Sequence, residues 1–66
     1  MKNKIKVYRA MRNMTQEDLA EHLRVTRRTI NSIEGDKNNP SIELAFWMAK
    51  FFGVPVEEIF SLNEEM

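Results

Sequence analysis

The fold is decided by residues 15–34, which read TQEDLAEHLRVTRRTINSIE. Thr15 is a favoured N-cap residue, and Asp18 follows it at the spacing of a capping box, so a helix is predicted to begin directly after Thr15. Thr26 is a second N-cap residue and predicts another helix over residues 27–34. Each helix is about eight residues long, and a turn of about three residues separates them.

The second of these helices has two different faces. At about 100° per residue, polar side chains occupy an arc of roughly 140° on one side of it. These side chains are Arg27, Arg28, Asn31 and Ser32. Ile30 and Ile33 fall on the opposite side, where they are predicted to pack inward. Two such helices are typical of a helix-turn-helix, although the spacing alone fits any two-helix hairpin.

The rest of the chain is also predicted to be helical, because its apolar residues recur at intervals of three and four and no strand-like alternation is present. One helix is predicted over residues 4–12. Another begins after the N-cap Ser41 and ends at Gly53, and a last short turn covers residues 56–60. Residues 61–66 are left as a tail. The whole chain is therefore predicted to be one all-α domain of five helices.

Composition argues against several classes of function. The 66 residues include no cysteine and one histidine, His22, so neither a disulfide framework nor a zinc site is expected. No metal or other cofactor is predicted. A glycine-rich phosphate loop and clustered carboxylates are also missing from the sequence, which argues against an enzyme. No apolar run approaches the roughly 20 residues that span a bilayer, and a cytoplasmic protein is expected.

The charges are distributed unevenly along a chain of zero net charge. Residues 1–37 contain nine Lys and Arg residues and five acidic residues, a net charge of +4, and residues 38–66 carry −4. Such a dipolar molecule can present a basic face to a polyanion, although the same charges are also compatible with an ordinary solvated surface.

Three segments together resemble a known family. The runs TQEDLAEHL, VTRRTINSIE and NPSIELAFWMAKFFGVPVEEIF look like the Cro and phage-repressor class of bacterial helix-turn-helix regulators, also called Xre-like, over residues 4–60. The resemblance implies a five-helix, lambda-repressor-like domain that binds a roughly palindromic operator in double-stranded DNA as a homodimer. A repressor is expected, since the chain leaves no room for an effector domain. Arg24 and Asp36 stand where the family usually has glycine, at positions expected to adopt a left-handed backbone.

The resemblance and the helix faces divide the polar residues between two roles on DNA. The predicted base-reading residues are Thr26, Arg27, Arg28, Asn31 and Ser32. The predicted phosphate-binding residues are Gln16, Lys37, Asn38 and Asn39. Arg28 is the strongest candidate for a guanine contact, because arginine can donate to both acceptors of that base. For each residue the alternative is a solvated surface position.

A structural ion pair is also predicted. Arg9 lies on the inner face of the first predicted helix and Glu34 leans inward on the third, and the resemblance implies that the two meet in a largely buried salt bridge.

A dimer interface is predicted from apolar residues outside the buried stripe of the fourth helix and after the last one. These residues are Trp47, Phe51, Leu62 and Met66. Neither a membrane nor a small-molecule ligand is expected as a partner, and the protein is expected on the nucleoid. The alternative function is a protein-interaction module, such as the antitoxin of a toxin pair, in which DNA binding is secondary.

Overall fold

A computed structural model of the chain describes residues 1–63, which contain five helices and two short strands. In chain order the elements are β1 (Lys2–Asn3), α1 (Ile5–Met11), α2 (Gln16–Leu23), α3 (Arg27–Glu34), α4 (Ile42–Phe52), α5 (Val56–Ile59) and β2 (Phe60–Ser61). The predicted all-α fold is confirmed, and α1 is one residue shorter at each end than predicted. Within residues 1–63 no helix is both long and apolar enough to cross a bilayer.

Short-range side-chain hydrogen bonds determine where the helices begin. The predicted capping box at α2 is confirmed: Thr15 Oγ1 accepts from Asp18 N at 3.0 Å, and Asp18 Oδ2 accepts from Thr15 N at 3.0 Å. Ser41 Oγ accepts from Leu44 N at 3.1 Å and caps α4. Gly53, with φ +71°, ends α4 in the left-handed conformation that glycine adopts without a Cβ clash.

The core receives side chains from every helix. The large side chains that are fully buried are Ile5, Leu19, Ile30, Met48 and Ile59, which come from α1 to α5 in turn. Tyr8 packs its ring 5.5 Å from the ring of Phe52, which joins α1 to the end of α4. Because each helix buries at least one large apolar side chain, the two helices of the central motif are held by the whole domain.

The two strands were not predicted, and the expectation of a purely helical chain was wrong at this point. β1 and β2 pair antiparallel, with Lys2 opposite Ser61 and Asn3 opposite Phe60. Ser61 therefore belongs to a strand and not to the predicted tail. Two residues are too short to show an alternating pattern, and their backbone partners lie at the other end of the chain. The pairing brings β1 next to the residues that follow α5.

Candidate nucleic-acid interface

The turn between α2 and α3 holds the two helices of the predicted motif together. Arg24 has φ +58° and ψ +41°, so the left-handed backbone expected at this position is confirmed. The amide of Val25 donates to the carbonyl of Ala20 at 3.0 Å, and the Val25 side chain packs on the core. Thr26 Oγ1 then accepts from Thr29 N at 3.1 Å and caps α3.

α3 presents its polar side chains to solvent and its isoleucines to the core, as its periodicity predicts. Arg27, Arg28 and Asn31 are exposed. Ile30 is completely buried and Ile33 is 4% exposed. The two arginines therefore lie on a helix whose opposite face is fixed by packing. The major groove of DNA can admit a helix with such an exposed face.

Gln16 connects the start of α2 with the polar face of α3. Its Nε2 lies 3.2 Å from Asn31 Oδ1 and 3.2 Å from Glu34 Oε1. Because the carboxamide oxygen of Asn31 faces Gln16, the donor end of the same amide points the other way. Gln16 was predicted as a phosphate contact, and it additionally orients a predicted base-reading residue.

The loop after α3 is folded back onto the end of that helix. Lys37 N donates to Ser32 O at 3.0 Å, and Asn38 Nδ2 donates to Ser32 Oγ at 2.5 Å. Asp36 has φ +60°, the left-handed conformation expected at this position. Lys37, Asn38 and Asn39 are all exposed in this loop. The predicted phosphate contacts of the loop therefore lie beside Ser32, a predicted base-reading residue.

The structure brings Arg9 and Glu34 together as an ion pair with two contacts. Arg9 Nε lies 2.5 Å from Glu34 Oε2, and Arg9 Nη2 lies 3.0 Å from Glu34 Oε1. The side chains are 13% and 9% exposed. Arg9 Nη1 also donates to the carbonyl of Met14 at 2.8 Å. The hydrogen bond with Glu34 raises the pKa of Arg9 above its ordinary value, so the guanidinium stays charged.

Asn3 supports the end of α3, and sequence reasoning missed it. Its Nδ2 lies 3.0 Å from Ile33 O, 3.3 Å from Glu34 O and 2.9 Å from Asp36 Oδ1. Its Oδ1 accepts from Ile5 N at 3.1 Å. An asparagine just before a helix is a local capping signal, but its contacts with α3 span 30 residues or more and leave no trace in the sequence pattern.

The apolar residues predicted at the dimer interface lie in different environments. Trp47 and Leu62 are 54% and 72% exposed. Phe51 is half-buried, unlike the exposed position expected: its ring lies 5.0 Å from the ring of His22, and the Arg12 guanidinium lies 5.0 Å from its centroid. Met66 is outside the described residues. Sequence reasoning missed two exposed residues of α4, whose apolar side chains interrupt its polar side; these are Ile42 and Phe46.

Among residues 1–63, no group of three or more His, Cys, Asp or Glu side chains is placed to hold a metal ion. Three of the exposed cations, Arg27, Arg28 and Lys37, lie on α3 and in the loop that follows it. Cations arranged in this way can contact several phosphates or base edges along one groove.

Comparison with known proteins agrees with this geometry. Residues 5–59 match the model of a helix-turn-helix family. An uncharacterised HTH-type transcriptional regulator of Methanocaldococcus jannaschii is 57% identical over 65 residues, which cover 98% of each chain. An HTH-type transcriptional activator of Enterococcus faecalis is 39% identical over 92% of this chain and 30% of the activator. A cryptic phage transcriptional repressor of Vibrio cholerae is 34% identical over 94% of this chain and 56% of the repressor.

Proposed function

Because the chain belongs to the Cro- and phage-repressor-like family of helix-turn-helix transcriptional regulators, we propose that it is a repressor that binds a palindromic operator as a homodimer. The observation that carries the proposal is the division of α3 into an exposed face with Arg27 and Arg28 and a buried face with Ile30 and Ile33. The major groove of DNA admits a helix and presents a distinct pattern of donors and acceptors at each base pair.

In this proposal α3 is the recognition helix. Arg28 donates to O6 and N7 of a guanine, with Arg27 and Asn31 reading neighbouring bases. The outward-facing amide donor of Asn31 suits an acceptor such as N7 of a purine. Thr26 and Ser32 lie at the two ends of this face and complete it.

Phosphate contacts come from both sides of the recognition helix. Gln16 at the start of α2 contacts the DNA backbone on one side, with one Nε2 donor released from Asn31 or Glu34. The loop residues Lys37, Asn38 and Asn39 contact the DNA backbone on the other side. Such contacts position the protein without reading sequence. The contact between Asn38 and Ser32 supports this arrangement, because it ties the loop to the reading face.

Two observations support a repressor that acts as a homodimer. Both relatives match more than 90% of this chain, and the match covers 56% of the relative named a transcriptional repressor but 30% of the relative named an activator. The exposed Trp47 and Leu62 supply apolar surface for a second copy. A two-fold dimer would set two recognition helices about 34 Å apart, one turn of DNA, and would require a palindromic site.

The test is selection of bound sequences from a random DNA pool with the full chain. Enrichment of an inverted repeat with half-sites about one helical turn apart supports a dimeric sequence-specific regulator. In vitro transcription from a promoter that carries the selected site should then fall as protein is added. If the selection enriches no sequence, the proposal of a sequence-specific regulator is wrong. If transcription rises as protein is added, the proposed repressor role is wrong.

A further inference from the structure

One face of α4 is apolar and exposed although the helix is part of the domain core. Its inner side contributes Ala45, Met48, Ala49 and Phe52 to the core. On the outer side Ile42 is 77% exposed, Phe46 62% and Trp47 54%. The DNA-binding surface proposed above uses none of the three. Neighbouring apolar side chains exposed in this way usually mark a contact with another molecule.

Two opposite charges accompany these residues on the outer face. Glu43 and Lys50 are both exposed, and they lie seven residues apart, about two helical turns, so both point to the same side as the apolar residues. The midpoint between them falls between Phe46 and Trp47. Lys50 Nζ lies 5.4 Å from the centroid of the Trp47 ring, which places the cation beside the aromatic surface.

The charged and apolar side chains on the outer face of α4 are complementary to the same side chains on a second α4 helix that runs in the opposite direction. We propose that α4 packs antiparallel against α4 of a second copy, around a two-fold axis that passes between Phe46 and Trp47. Glu43 then faces Lys50 of the second copy, and the Phe46 and Trp47 rings of the two copies meet around the axis. The contact between Glu43 and Lys50 occurs twice, because a two-fold interface uses the same surface on both protomers.

The charges decide the direction of packing. A parallel pair of α4 helices would set Glu43 against Glu43 and Lys50 against Lys50, and like charges in contact are unfavourable. This inference rests on the homodimer proposed above, and it identifies the outer face of α4 as the surface that forms the dimer.

The experiment measures dimerisation by sedimentation velocity over a range of concentrations, for the parent chain and for charge-reversed variants. Glu43→Lys alone and Lys50→Glu alone each turn two attractive contacts into two repulsive ones, and each should weaken the dimer about tenfold or more. The double variant Glu43→Lys/Lys50→Glu should recover parental affinity. An equimolar mixture of the two single variants should also recover it, as a heterodimer with both pairs attractive.

Two charge reversals at exposed positions outside α4 serve as controls. Lys6→Glu on α1 and Glu21→Lys on α2 change the net charge by the same amounts and should leave the dimer unchanged. Circular dichroism and thermal melting of each variant check that it is folded. The effects of the α4 variants should shrink at high salt, since exposed charges are screened.

The possible outcomes test the α4 interface and the proposed homodimer separately. A parent chain that stays monomeric at high concentration, with and without the selected DNA, overturns both the homodimer and the α4 pairing. A dimeric parent whose single variants dimerise normally, or whose mixture does not recover, overturns the α4 pairing and leaves the homodimer standing. Weaker dimerisation of both single variants, together with parental dimerisation of their mixture, supports the α4 pairing.

Discussion

Glu34 Oε1 lies 3.0 Å from Arg9 Nη2, and the second oxygen of the same carboxylate lies 2.5 Å from Arg9 Nε. Gln16 Nε2 also approaches Oε1, at 3.2 Å. One carboxylate at the end of α3 therefore binds side chains from α1 and α2. The position of α3 relative to the rest of the domain depends on this residue.

We expect Glu34→Ala to lower the free energy of unfolding by about 3–5 kcal/mol, because the largely buried Arg9 would lose its carboxylate partner. Chemical denaturation with an unchanged slope would measure the loss as a lower midpoint. Glu57→Ala, at an exposed position of α5, is the matched control and should be close to neutral. A Glu34→Ala protein that unfolds at the parental midpoint would show that the ion pair has no structural role.

Asp18 makes stability depend on pH. The backbone hydrogen bond from Thr15 is the main reason that the pKa of Asp18 lies below its ordinary value of 3.8. A carboxyl group whose pKa is lower in the folded state stabilises the fold above its unfolded pKa, and that contribution is lost as the pH falls through the folded pKa. Asp18→Asn should therefore be less stable than the parent at pH 7.

The difference between the parent and Asp18→Asn should narrow as the pH falls below 3.8. Unfolding curves from pH 7 downward measure it, with Glu21→Gln on the same helix as the control. If the difference in the free energy of unfolding stays constant at every pH, the charge of Asp18 does not stabilise the fold.

Asn3 should matter for stability although it lies outside every helix. Asn3→Ala removes the amide donor shared by Ile33 O, Glu34 O and Asp36 Oδ1, and should cost about 1–3 kcal/mol. Asn3→Asp should cost more, because it places a second carboxylate beside Asp36. Asn63→Ala, an exposed asparagine near the other end of the chain, is the control. The idea fails if Asn3→Asp is as stable as Asn3→Ala at neutral pH.

Arg28 is predicted to read a base. Arg28→Ala should cost about 1–3 kcal/mol of binding free energy on the selected operator and relax the preference at one base position in each half-site. Titration of the variant against the operator and a scrambled duplex measures both effects. Equal losses on the two duplexes would make Arg28 a backbone contact and move the assignment to Arg27 or Asn31.

Lys37 is predicted to bind phosphate, so its replacement should behave differently. Lys37→Ala should weaken binding to both duplexes alike and lower the salt dependence of the binding constant by about one per lost contact. Titrations at several salt concentrations give this slope. A loss confined to the operator would instead assign Lys37 to base reading.

The sequence was sufficient for the helix starts at Thr15, Thr26 and Ser41 and for the helix end at Gly53. All four are confirmed, because a cap is an interaction within three or four residues and its partners are neighbours in the chain. The two faces of α3 follow from helical periodicity in the same way. The resemblance to the Cro and phage-repressor class is also confirmed. The roles of individual side chains on DNA stay predictions.

The tertiary structure alone decided the features that join distant residues. Strand pairing sets Asn3 opposite Phe60, and Asn3 reaches the end of α3 from the start of the chain. Phe51 lies at the edge of the buried stripe of α4, where helical periodicity cannot distinguish a covered ring from an exposed one. The ring is half-buried because His22 and Arg12 pack against it. Periodicity reports which side of its own helix a residue occupies. What lies against that side depends on how the helices pack, and the partners of these residues belong to other elements of the chain.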